Sequence, residues 1–226
     1  MSTPVIFSAA YDKNEITVEP RQVLRYLGMG KHADDPQNTT LAEQALAQYQ
    51  SAVRYQVCWV TVPVRVEEER VDFGLFAADS RSLANHLRGC EEAILFAATT
   101  GMELEQLRRR EAVRWLPGAL VLDAAATAGV EALCDRFCAD RAAELTGSFL
   151  RPRFSPGYGD LPLQLQQPLL QCLDSSRKIG LSLSQSLLML PQKSVTAIVG
   201  IGTEGCTAAV GCENCEKRDC PFRLQE

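Results

Sequence analysis

Histidine is nearly missing from this chain: among 226 residues only His32 and His86 carry an imidazole, and aromatic residues amount to 7%. No nucleophile–histidine triad is recognisable, which removes that route to covalent catalysis. Positive charge is also in deficit. A net charge of −5 and a pI near 5.2 argue against nucleic acid or an anionic membrane as the principal partner. No segment reads as long enough to span a membrane, and Met1-Ser2-Thr3-Pro4-Val5 lacks the basic start and apolar core of a secretory signal. Internal repeats and low-complexity tracts are absent. The string Gly200-x-Gly202-x-x-Gly205 fits a dinucleotide fingerprint literally, but no helix follows and too little chain remains for a βαβ unit.

What is present suits a packed domain. A 46% hydrophobic composition can bury a substantial core, so one main domain with an appended tail is expected. Nine cysteines without an export signal point to a reducing cytoplasm, where thiols are packed, reactive or metal-bound rather than paired. Cys58, Cys90, Cys134, Cys138 and Cys172 lie in apolar periodic segments and read as small core residues. The basic run Arg108-Arg109-Arg110 reads as a solvated helix face, with Glu105 and Arg109 paired at helical spacing.

Periodicity then lays out the elements. Pro20 and Gly28 bracket a short helix containing Val23, Leu24 and Leu27. A second is expected behind Thr40, whose spacing to Glu43 fits a capping box. From Val57 to Val66 the pattern alternates, with Val60, Val62, Val64 and Val66 on one side of a strand that Pro63 would confine to an edge or a bulge. Glu67-Glu68-Glu69-Arg70 turns into a partner strand, Val71 to Phe76, and Ser80 caps a helix carrying Leu83 and Leu87. Ile94-Leu95-Phe96-Ala97-Ala98 reads as a strand buried on both faces. Helical spacing holds from Met102 to Leu145, broken near Pro117-Gly118, with Leu120, Ala124, Leu133, Phe137 and Leu145 inside. A helix from about Pro168 and strands near Leu181 and from Val195 to Ile201 close the pattern. The sum is α+β: a mixed or antiparallel twisted sheet with helices packed on it. The expected organisation is an N-terminal helical segment over residues 1–50, a core over 51–201 and a Cys-rich tail over 202–226.

One turn carries chemistry. Arg153-Phe154-Ser155-Pro156-Gly157-Tyr158 joins a guanidinium that can fork onto a carboxylate, a glycine that leaves the main chain bare, and a ring whose face attracts cations. That set suits a zwitterionic, sulfonium-bearing nucleotide. An ordinary surface turn with a solvated arginine is the plainer reading of the same residues. The tail supplies Cys206, Cys212, Cys215 and Cys220 in a short tract, a ligand set for zinc or an Fe–S cluster, or else a group of reduced, redox-active thiols.

Arg-x-x-Pro-Gly-Tyr at Arg153–Tyr158 resembles the S-adenosylmethionine-binding signature of the activation domain of cobalamin-dependent methionine synthase. A second segment agrees. Ile179 to Val195, with Leu183, Ser184, Ser186, Met189, Pro191, Ser194 and Val195, is similar to the family's loop facing the corrin. The resemblance is strongest from about Leu120 to Ile201 and extends to free-standing activation proteins. It implies that Arg153 holds the ligand carboxylate, that the backbone at Ser155, Pro156 and Gly157 and the Tyr158 ring line the pocket, and that Glu131 on the preceding helix makes an acidic contact. As a residue on its own, Glu131 reads equally well as a solvated helix glutamate. The same resemblance sets Met189, Pro191 and Ser194 against the corrin. The chain departs from the large synthases after Tyr158, where Gly159-Asp160-Leu161-Pro162 replaces a Pro-Ala-Cys-Pro segment, and an early ligand-contacting Asp has no counterpart at Leu27-Gly28.

The implied function is that of an activation subunit: it binds S-adenosylmethionine and supports reductive methylation of cob(II)alamin. No Asp-x-His-x-x-Gly motif occurs here, so the cobalamin (vitamin B12) must arrive on a partner, a cobalamin-binding methionine synthase or another corrinoid methyltransferase. A flavodoxin- or ferredoxin-type protein would supply the electron. The other reading is a non-catalytic Fe–S or zinc metalloprotein that binds S-adenosylmethionine as a regulator or scaffold.

Overall fold

Strand β6 (Cys90–Thr99) is apolar on both sides because both sides are covered. Ile94, Phe96 and Ala98 enter one core while Ala93, Leu95 and Ala97 enter another, the period-two alternation of a central strand. Its neighbours repeat the pattern. In β2 (Tyr55–Pro63), Tyr55 and Val57 face the first core and Cys58, Val60 and Val62 the second; in β10 (Ser194–Gly202), Ala197 and Val199 oppose Ile198. With β1 (Phe7–Tyr11) and β7 (Phe149–Leu150) at the edges, the sheet runs β1-β2-β6-β10-β7 and every pairing is antiparallel. The structure, a computed structural model, describes residues 4–30 and 33–203.

Four helices cover the first face. They are α1 (Pro20–Tyr26), α2 (Pro36–Ala52), α4 (Met102–Arg114) and α5 (Leu116–Ala143), with α3 (Arg81–His86) lying on the other side. α5 is the spine of this layer. It buries Leu122, Ala125, Leu133 and Phe137 fully or nearly so, and its Gly129 admits the Tyr49 hydroxyl so closely that an added Cβ would collide with it. Tyr49 in turn donates its hydroxyl proton to the Tyr55 hydroxyl oxygen at 2.5 Å, which pairs two hydroxyls inside the core. The second face carries a small antiparallel sheet, β3 (Arg65–Glu67), β4 (Arg70–Asp72) and β5 (Ala77–Asp79), together with α3, α6 (Gln166–Cys172), α7 (Ser175–Ile179) and the hairpin β8 (Ser182–Leu183) with β9 (Met189–Leu190).

The fold class agrees with the sequence pattern, and particular elements correct it. The second helix begins at Asp35-Pro36, where the Asp35 carboxylate accepts the Gln37 N–H at 2.9 Å; Thr40 is an interior residue whose hydroxyl donates to the Pro36 carbonyl. An Asp cap with Pro in the first turn outweighs a capping box one turn further on. Pro63 is the last residue of β2, an internal strand, so its missing N–H falls at the end of the ladder rather than on an edge. The strand expected from Val71 to Phe76 ends at Asp72, a turn follows and β5 begins only at Ala77, and the helix break lies at the extended residue Trp115. Leu120 is 57% exposed, not core. Glu105 does pair with Arg109, but it is only 4% exposed rather than part of a solvated face. Contrary to the reading that no segment reaches spanning length, α5 is long and apolar enough to cross a membrane by length and composition; just over half of that stretch is buried inside the protein. Among the described residues Cys58, Cys90 and Cys134 are buried and Cys138 and Cys172 half-buried, and burial pushes the Cys58 and Cys172 thiols up to about 12.

Candidate functional site

Between Asp123 and Asp135 every fourth residue of α5 is polar: Asp123, Thr127, Glu131 and Asp135 form one ridge on a helix that is otherwise largely apolar. Two loops distant in sequence come to this ridge.

The first is the Arg153 turn. The chain leaves β7 alongside β10, with Arg151 N–H bonding the Gly200 carbonyl and Phe154 bridging to Ile198 through both backbone groups. The Pro152 carbonyl, which can only accept, takes the Nε2–H of His86 at 2.8 Å, and the His86 ring lies 5.1 Å from that of Phe154. Burial lowers the His86 pKa, so a neutral ring holding this proton is the form the site favours at pH 7. Arg153 is thereby aimed at α5. Its Nη2 donates to Glu131 Oε2 at 2.7 Å and its Nη1 to Asp135 Oδ1 at 2.6 Å. Burial opposes the charge on Arg153, yet the neighbouring Cys134, Asp135 and Glu131 outweigh it and raise its pKa. The guanidinium therefore stays charged.

Beyond Arg153 the turn closes on itself. Gly157 N–H bonds the Leu161 carbonyl at 2.9 Å and Tyr158 N–H the Ser155 carbonyl at 3.0 Å. Gly157 sits at φ +94°, and a Cβ there would meet only Leu163 at 3.5 Å, so glycine is required by conformation and the backbone lies bare on that side. Pro156 is buried; Tyr158 is 57% exposed, its ring edge against Phe154. The segment Gly159-Asp160-Leu161-Pro162 fixes the turn in place. Asp160 accepts the Ser80 hydroxyl at 2.5 Å and the N–H groups of Arg81 and Ser82, pinning the turn to the start of α3. These bonds hold the Asp160 pKa down at about 2. Gly159 allows the approach, since a Cβ would lie 2.6 Å from the Ser82 hydroxyl.

The second loop runs from Met189 to Ser194. Met189 is half-buried against the second core, Pro191 is buried, and Ser194, 7% exposed, places its hydroxyl 2.8 Å from the Pro191 carbonyl and 2.9 Å from the Thr99 hydroxyl. Leu188 at the hairpin tip is the outward residue, 56% exposed. Lys193 Nζ reaches the ridge, donating to Asp123 Oδ2 at 2.8 Å and to the Thr127 hydroxyl at 2.9 Å. Asp123 and the buried Glu105 share Arg108, and Glu105 also receives the Gln192 N–H at 3.4 Å. A cavity of about 670 Å³ opens on the flank of this hairpin, lined by Gln171, Asp174, Ser182, Leu183 and Leu187 among others; neither Arg153 nor Tyr158 borders it.

Of the expected site residues, Arg153 and Glu131 are in direct contact and Ser155, Pro156, Gly157 and Tyr158 follow in one turn, while Met189, Pro191 and Ser194 form a separate loop. Cys206, Cys212, Cys215 and Cys220 lie outside the described residues. Among the described residues no group of three or more His, Cys, Asp or Glu is placed to hold a metal ion. Asp123, Asp135, Asp160 and Lys193 were not anticipated. The four-residue polar period along α5 was the one signal that pointed to two of them.

No family model matches the sequence and no curated protein matches it. Solved structures do. The fold is shared with a crystal structure of the MetH reactivation domain bound to AdoHcy, with a TM-score of 0.67 over 91% of this chain and 81% of that chain at 12% identity.

Proposed function

We propose that this chain is an activation subunit for a cobalamin-dependent methionine synthase, binding S-adenosylmethionine at the Arg153 turn and presenting it to a cobalamin carried by a partner protein. One observation carries the reading. On a fold shared with a methionine synthase reactivation domain, the Arg153 turn and the Met189–Ser194 loop are both anchored to the same ridge of α5, with Thr127 and Glu131 one turn apart between them.

The residues fit the ligand's chemistry. Arg153 would hold the carboxylate, Glu131 the ammonium group, and the Tyr158 face the sulfonium side of the molecule. The turn spends its own Gly157 N–H and Ser155 carbonyl internally. That leaves the Gly157 carbonyl and the Ser155 hydroxyl for the nucleoside. The partner's corrin supplies the reactive metal, restored to the methylated form by one electron and the methyl group of S-adenosylmethionine. This chain contributes no acid, base or nucleophile. Its part is orientation: a ligand fixed at both charged ends offers its methyl group in a defined direction, and that replaces a random encounter.

The Met189–Ser194 loop, braced by Lys193 and Ser194, would meet the corrin on a cobalamin-binding methionine synthase or a related corrinoid protein. A flavodoxin- or ferredoxin-type donor would deliver the electron in the cytoplasm. The test mixes this protein, a cob(II)alamin-loaded partner, a reductant and S-adenosylmethionine. A methylcobalamin spectrum that depends on all four and is lost in Arg153→Ala is expected; S-adenosylmethionine binding without any methylcobalamin would instead mark a non-catalytic regulator.

A further inference from the structure

Arg153 is already paired twice. One guanidinium lies between two carboxylates, Glu131 at 2.7 Å and Asp135 at 2.6 Å, so the cluster carries a net charge of about −1 and repels a third carboxylate. A ligand that uses Arg153 must therefore displace one of the two. They are not equivalent. The Glu131 side chain is 38% exposed, whereas that of Asp135 is 72% exposed and can swing into water at little desolvation cost. The pair also sits at i and i+4 on α5, where like charges repel unless a cation is shared, so each carboxylate has a use for Arg153 in the free protein.

We infer that Asp135 is an internal competitor for the carboxylate-binding edge of Arg153: it occupies Nη1 in the free protein and is released when a carboxylate-bearing ligand binds. This rests on the reading of Arg153 given above. Two consequences follow from the exchange. The affinity of the site is set below what the guanidinium alone would give, and the gain on removing Asp135 is confined to ligands that carry a carboxylate. Exchange of one ion pair for another also leaves Arg153 paired at every stage, which keeps this half-buried charge neutralised between ligands.

Calorimetric titration tests it with S-adenosylhomocysteine, S-adenosylmethionine and decarboxylated S-adenosylmethionine against wild type, Asp135→Asn, Asp135→Glu and Arg153→Ala. Asp79→Asn, which removes the same charge from the distant β5, controls for net charge. Asp135→Asn is expected to bind both carboxylate ligands about two- to fivefold tighter, the range an exposed ion pair is worth. Asp135→Glu and Asp79→Asn should match wild type, and the decarboxylated ligand should not distinguish wild type from Asp135→Asn. Equal or weaker binding by Asp135→Asn overturns the inference, the weaker case marking Asp135 as a holder of the ligand's ammonium group. An equal gain for the decarboxylated ligand overturns it too. If wild type binds and Arg153→Ala does not, the parent reading survives such a result; if no variant binds any of the three ligands, both fall together.

Discussion

Arg108 and Arg153 both dock on the polar ridge of α5, and each is shared by two carboxylates, yet the two clusters differ in how far their carboxylates are exposed. Arg108 lies between Glu105, 4% exposed, and Asp123, and the Gln192 N–H and Lys193 close the group from the loop side. Arg153 lies between Glu131 and Asp135, and Asp135 opens freely to solvent. A charge with a buried partner has no alternative: water cannot replace what is lost. A charge with an exposed partner can trade it. The difference between the two hubs is thus in their carboxylates more than in the arginines, and it separates a closed cluster from an open one.

The largest effect should come from breaking the closed hub. Arg108→Met leaves Glu105 buried with the exposed Arg109 and the long Gln192 N–H bond as its remaining partners, and is expected to cost about 3 kcal/mol in urea unfolding. Arg153→Ala sharpens the contrast. Its stability loss should be near 1 kcal/mol, because Asp135 simply rehydrates, while S-adenosylmethionine affinity drops roughly ten- to hundredfold, the worth of a charge-assisted bond. Should Arg153→Ala prove the more destabilising of the two, the comparison fails. Lys193→Met removes the tie between the Met189–Ser194 loop and the ridge; about 1 kcal/mol of stability should go, with methyl transfer to the partner slowed and ligand affinity in calorimetry unchanged. The smallest effect concerns pH. Asp160 titrates at about 2 in the folded chain against an ordinary 3.8, so the stability it contributes is present above about pH 4 and is lost as pH falls toward 2. Thermal melts should show wild type losing more over that window than Asp160→Asn, and parallel losses would exclude the tether.

Local chemistry was legible, and long-range pairing was not. The Ser80 cap needs only Leu83 three residues on, and the β6 run announces its own burial, so both could be read directly. The capping box at Thr40 was equally local but lost to the stronger start at Asp35-Pro36. Glu105 looked like any helix surface glutamate because its burial depends on Gln192, far away in sequence. Leu120 looked like core because its spacing is right; among the described residues no element covers it. At the site, the turn's glycine and aromatic were visible as a type of chemistry. Arg153 and Glu131 were each named through family resemblance as ligand contacts, whereas their direct pairing and the second carboxylate, Asp135, were hidden because no local rule says which part of α5 a loop will meet.

The ridge on α5 also measures. At about 1.5 Å per residue, Asp123 and Glu131 stand about 12 Å apart along the axis, and at about 3.6 residues per turn they lie about 80° apart around it, so the ridge winds slowly over the helix surface. Length and phase are locked together in such a ruler: a single residue inserted between Thr127 and Glu131 would lengthen it by a trivial step but swing one anchor about 100° further around the helix, to the side opposite the other. Evolution can therefore repaint this stretch with new side chains far more readily than it can add to or subtract from it.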